Sequence, residues 1–98
     1  MENESIKALR EALEHSPTNL PLRLHLAQSL LNLLQYDEAE KEFKKILSQD
    51  PQQTKAKVGL AKVYFQKEQY KTTIVILEEI IPGNSDEALQ VMYCKALP

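Results

Sequence analysis

Apolar and polar residues alternate along most of this chain with a period of three to four positions. Near the start, Ile6, Leu9, Ala12 and Leu13 recur at helical spacing while Lys7, Arg10, Glu11 and Glu14 take the other side, the pattern of an amphipathic helix. Asn3 or Ser5 can cap it, and Pro17 ends it, because the residue before a proline is pushed out of helical geometry. Asn19 caps a second helix whose stripe is Leu22, Leu26, Ala27, Leu30 and Leu33. Pro21 is tolerated in its first turn, where the amide has no intrahelical partner. Asp37 followed three residues later by Glu40 reads as a capping box, which starts a third helix running to about Gln49. Ala39, Phe43, Ile46 and Leu47 face inward on it, and Lys41, Glu42, Lys44 and Lys45 form a solvated face. Two more helices follow, from about Gln53 to Lys67 and from about Tyr70 to Ile81, before Pro82-Gly83 breaks the chain. A last helix, capped by Asn84 or Ser85, reaches about Leu97 and has Ala88, Leu89, Met92, Tyr93 and Ala96 on one stripe.

One segment resists that reading on its own. Thr72 to Leu77 is β-branched and apolar almost all round, so local preference alone would allow a strand. An internal repeat overrides it. The step from Pro17 to Pro51 also carries Leu26, Ala27, Gln35, Tyr36 and Ile46 onto identical residues at Leu60, Ala61, Gln69, Tyr70 and Ile80. Backwards, it carries Glu38, Lys41, Leu47 and Pro51 onto Glu4, Lys7, Leu13 and Pro17. A fixed period of this size marks stacked supersecondary units, and propensity is a weak prior against such packing.

The register resembles the tetratricopeptide repeat (TPR). Leu26-Ala27 and Leu60-Ala61 stand at that family's Leu-Gly position, Leu30 and Tyr64 at its Tyr, Ala39 at its Ala, Phe43 and Leu77 at its Phe, and Pro51 closes the repeat. Arg23 and Lys57 replace the usual Trp, Thr73 replaces Ala, and Ser85 stands where Pro is expected. The resemblance implies an all-α fold, a right-handed superhelix of six antiparallel helices. In its terms they follow the order B-A-B-A-B-A, where A and B are the first and second helix of a repeat. The chain then divides into a half repeat at 1–17, full repeats at 18–51 and 52–85, and a half repeat or capping helix at 86–98.

Composition narrows the function by exclusion. A net charge of −2 on 98 residues declares no basic surface for nucleic acid. Cys94 is the only cysteine, which rules out an internal disulfide and a cysteine cage for metal; it is expected to be a half-buried residue of the last helix. No apolar run approaches a membrane span and no leader follows Met1, so a cytoplasmic address is expected. His15 and His25 have no carboxylate or cysteine at ligand spacing, and no motif of a hydrolase, a metalloprotease or a nucleotide-binding loop is present. The expectation is a protein that is not an enzyme and uses no cofactor or metal.

What the resemblance implies about binding lies on the concave face made by successive A helices. It places Leu24, Gln28 and Leu31 there in the first repeat and Val58, Lys62 and Phe65 in the second, with Lys55 and Asn32 at the margins. Such a surface suits an extended peptide or a partner helix with apolar anchors and one or two acids. The lysine and asparagine clamp by which some TPR modules grip a C-terminal carboxylate is not present: Leu24, Gln28 and Gly59 occupy its places. Val75 and Ile76 fall one repeat step after Lys41 and Glu42, so both are expected to be exposed, and they could pair two chains as a homodimer. The stretch from Ala8 to Ala27 also resembles the leading repeats of some bacterial AAA-type ATPases, which would make this the regulatory or recruiting front of a larger enzyme.

Overall fold

The computed structural model describes residues 4–83 and 87–97. Among the described residues six α-helices follow one another: α1 Glu4–His15, α2 Leu20–Asn32, α3 Tyr36–Gln49, α4 Thr54–Gln66, α5 Tyr70–Ile80 and α6 Glu87–Ala96, with a 3₁₀ turn at Ile81–Gly83. No strand occurs among the described residues, and Thr72–Leu77 is helical. Each helix packs on the next, and α2 also touches α4, and α4 touches α6. The other three helices make no comparable contacts with one another. An array whose alternate helices meet on one side only must curve toward that side. The layer of α2, α4 and α6 is therefore the inner one, and α1, α3 and α5 form the outer.

Local chemistry accounts for most of the boundaries. Asn19 Oδ1 accepts the Leu22 amide at 3.1 Å and caps α2, with Pro21 in the first turn. The expected capping box at Asp37 does not form. Helix α3 begins one residue earlier, after Gln35, with no side-chain cap. Both acids instead reach α4: Lys67 Nζ lies 2.8 Å from Asp37 and 3.1 Å from Glu40, and the Tyr64 hydroxyl donates to Glu40 at 2.9 Å. Charge-assisted bonds to another helix outweigh a cap to a local amide. At the front, α1 starts at Glu4, so Ser5 lies inside its first turn; the alternative cap Asn3, and both candidate caps of α6, lie outside the described residues.

Both turns inside the repeats close the same way. Leu34 (φ 64°) and Glu68 (φ 63°) adopt the left-handed conformation. The Gln35 amide reaches back to the Leu30 carbonyl at 2.9 Å and that of Gln69 to the Tyr64 carbonyl at 2.8 Å. This is the Schellman arrangement, which glycine normally occupies because a side chain is strained there.

The core runs continuously between the layers. Ile6, Leu26, Leu30, Phe43, Ile46 and Val63 form one buried cluster, and Ala61, Leu77, Ile80 and Leu89 form a second beside it. Ala27 and Ala61 are fully buried, as their small size at a helix crossing predicts. Gly59 is small for a sharper reason: the Phe43 ring lies against its α-carbon, and a β-carbon there would collide with the ring.

Two expectations about the outer faces fail together. Lys41, Lys44 and Lys45 are exposed, but Glu42 is only 4% exposed and accepts a bond from Arg23 at 2.6 Å. Ile76, its counterpart in the next repeat, is half-buried and packs on both core clusters. The position faces inward in each repeat, so of the pair Val75 and Ile76 only Val75, at 60%, is exposed.

Candidate interaction groove

The inner layer carries two adjoining depressions. The larger, about 640 Å³, has Leu31 from α2, Val58 and Phe65 from α4, and Val91 and Met92 from α6 among its walls. Leu34 and Tyr36, from the turn between α2 and α3, close one end. The smaller, about 240 Å³, brings Gln28 together with Lys55, Gly59 and Lys62. Leu31, Asn32, Val58 and Lys62 belong to both, so they form one groove. Of the residues expected there, Gln28, Leu31, Lys55, Val58, Lys62 and Phe65 are brought together. Leu24 is not among the lining residues; it is half-buried against the main core cluster.

Sequence reasoning missed the third wall. The inward positions of α6, Leu89, Met92, Tyr93 and Ala96, match Ala56, Gly59, Leu60 and Val63 of α4 at a step one position shorter than that from Pro17 to Pro51. The period shortens across the break at Pro82-Gly83. Counted that way, Val91 corresponds to Val58 and Lys95 to Lys62, and both line the groove. The missing proline at Ser85 was the available signal that the period changes there. Cys94 then falls where α4 has Ala61, which packs with α5 residues. No described helix covers it, and it is exposed rather than half-buried.

Position and charge agree along the groove. Among the described residues no Asp or Glu lines either depression, whereas Lys55, Lys62 and Lys95 do. In contrast, Arg10, Arg23, Lys41, Lys44, Lys45, Lys57 and Lys67 each sit in an ion pair elsewhere. None of the three groove lysines has such a partner among the described residues. A chain of net charge −2 thus presents a groove whose charged lining residues, among those described, are all lysines of α4 and α6 over an apolar floor.

Two contacts hold the groove's shape. Phe65 meets Tyr70 edge to face, with ring centroids 5.6 Å apart, which fixes the ring at the end of α4. At the same end of α4, Glu40 ties α3 to it through Tyr64 and Lys67. Lys44 above all, with Lys67 and Tyr64, lowers its carboxyl from 4.5 to about 2, although burial works the other way. Burial, with Glu40 beside it, raises the Tyr64 phenol, and Asp37 and then Glu40 raise the Lys67 ammonium.

Elsewhere the described residues offer little chemistry. No cluster of three or more His, Cys, Asp or Glu could hold a metal ion among them, and no described helix is long and apolar enough to cross a membrane. His15 and His25 are exposed and lie outside the groove.

Comparison with known proteins agrees with the helical-repeat architecture. Residues 3–46 and 34–92 match the family model described as tetratricopeptide repeat. Mouse tetratricopeptide repeat protein 21A is 29% identical over 87 residues, 89% of this chain and 7% of that protein. The chain therefore spans a small fraction of that relative's length. Among solved structures, the TPR2B domain of yeast Sti1, in complex with pHsp70, superimposes with a TM-score of 0.80. That match covers 93% of this chain and 78% of the other at 22% identity, a likeness of fold.

Proposed function

Because the chain belongs to the tetratricopeptide repeat family, we propose that it is a non-catalytic protein-interaction module that takes a peptide or helix in the groove of α2, α4 and α6. The observation that carries this reading is the apolar floor of Leu31, Val58 and Phe65 beneath lysines that pair with no carboxylate among the described residues. Aromatic and aliphatic anchors supply affinity in such sites, while charges at the rim supply rate and selectivity. The partner is accordingly a protein segment with apolar anchors and acids. The complex of the yeast domain with pHsp70 supports a partner-binding use of the fold.

The test is affinity capture of partners by the intact chain and by Lys62→Glu and Phe65→Ala. Partners of the groove are lost from Phe65→Ala, and rising salt weakens those that depend on Lys62. Capture that survives both substitutions unchanged would refute the reading.

The exposure of Val75 favours a second, weaker reading, self-association through α5. With Ile76 half-buried, that patch is a single aliphatic side chain flanked by Thr72 and Glu79, both exposed. Val75→Lys would shift a dimer to monomer in sedimentation, and a wild-type chain that sediments as a monomer at high micromolar concentration would dismiss it. Service as the recruiting region of a larger AAA-type ATPase is compatible with the groove reading, and reading the gene beyond Pro98 tests it.

A further inference from the structure

We propose that the groove is graded along its length and selects an extended segment whose two carboxylates stand three residues apart, over α4 and α6, with its uncharged end over α2. This rests on the groove reading above. One row of the inner face takes one residue from each helix: Gln28, Lys62 and Lys95, the first two separated by the full repeat step and the last two by the shortened one. Charge therefore rises from neutral at α2 to cationic at α4 and α6. Lys62 and Lys95 line the same depression, and Val58 and Val91 share it with them. Both lysines are exposed, and neither is spoken for by a carboxylate among the described residues. An acid brought to them gains a charge pair without breaking one.

The spacing follows from helix packing. Neighbouring helices lie roughly 8–10 Å apart, which sets the separation between the two lysine stems. In polyproline-II geometry, residues i and i+3 point the same way and stand about 9 Å apart. Acids at that spacing meet both lysines from one face, and the two residues between them turn toward the floor. In a helix residues i and i+3 stand only about 4.5 Å apart along the axis, so acids at that spacing reach both lysines from an extended chain.

The experiment is titration calorimetry with peptides blocked at both ends, so that no terminal carboxylate contributes. The first carries two glutamates three residues apart with leucines between them, the second places the glutamates side by side, and the third replaces both by glutamine. The intact chain should bind the spaced peptide about tenfold more tightly than the glutamine peptide, roughly threefold per acid, with the adjacent-acid peptide between them. Lys62→Gln and Lys95→Gln should each remove about one acid's share. Gln28→Lys should improve binding of a peptide lengthened by a third glutamate. Equal binding of the spaced and glutamine peptides, or Lys95→Gln without effect on their ratio, overturns the inference. Phe65→Ala separates that failure from failure of the groove itself. If it weakens every peptide while charge has no effect, the groove stands and the graded-charge inference falls. If no peptide binds, or none responds to it, both fall. A peptide stapled into a helix that binds more tightly than the spaced peptide overturns the extended conformation.

Discussion

The two complete repeats, α2–α3 and α4–α5, share one backbone and differ in what they bury. Both place a fully buried alanine at the crossing, Ala27 and Ala61, and both close with a left-handed residue, Leu34 and Glu68. At the site facing the first helix they diverge. The first repeat holds Glu42 against Arg23, whose Nη2 also donates to the Pro17 carbonyl at 3.1 Å. The Arg23 Nε is buried without a hydrogen-bond partner. At the same register the second repeat has Lys57 and Ile76, and its lysine makes a looser pair with Glu79 at 3.8 Å. The period thus dictates which positions turn inward, and leaves open whether charge or hydrocarbon fills them. A buried ion pair is costly to break and contributes little beyond an aliphatic filling.

That contrast can be broken directly. Glu42→Ala strands Arg23, whose side chain is 14% exposed, and should cost about 2–4 kcal/mol in urea denaturation. Converting the pair to hydrocarbon with Arg23→Met and Glu42→Ile should restore most of that loss. A double variant as unstable as Glu42→Ala would mean that the pair itself specifies the first repeat. In the second repeat, Ala61→Leu should overpack the crossing and cost about 1–3 kcal/mol. An unchanged midpoint would contradict the buried crossing.

A pH-dependent effect comes next in size. The Glu40 carboxyl is held at about 2 in the folded chain and takes up its proton near the ordinary 4.5 when unfolded. Its contribution is complete above pH 4.5 and is lost as pH falls through 2. Between those values the intact chain should lose about 1–3 kcal/mol more stability than Glu40→Gln. Parallel pH profiles would show that the link between α3 and α4 is not electrostatic. The smallest effect is a gain. Leu34→Gly and Glu68→Gly each relieve a strained turn and should stabilise by about 0.5–1 kcal/mol, by similar amounts since the backbone angles match.

Much of this was legible in the sequence, for identifiable reasons. Helices and period follow from apolar spacing, and Asn19 caps where an isolated asparagine before Leu20-Pro21 should. The inner-face residues of α2 and α4 are expected there from the resemblance to the tetratricopeptide repeat, not from the period alone. What escaped depends on contacts between distant segments. Asp37 and Glu40 satisfy a local rule but have better partners in Tyr64 and Lys67, 24 to 30 residues away. Glu42 looks solvated in a row of lysines until Arg23 is placed beside it. Leu34 gives no hint of a left-handed turn, since its neighbours hold it there through two amides bonded back into α2. Leu24 looks like a groove residue until packing draws it to the core. The shortened period before α6 hid Val91 and Lys95, because a fixed count places that helix one position out of step.

The three-helix groove is the central claim, and amide shift mapping by NMR tests it most directly. Titrating the labelled chain with the blocked, spaced-glutamate peptide should move the amides around Val58 and Lys62 together with those around Val91 and Lys95, and leave Val75 on α5 unmoved. Shifts confined to α5 or α1, with α4 and α6 silent, would contradict it.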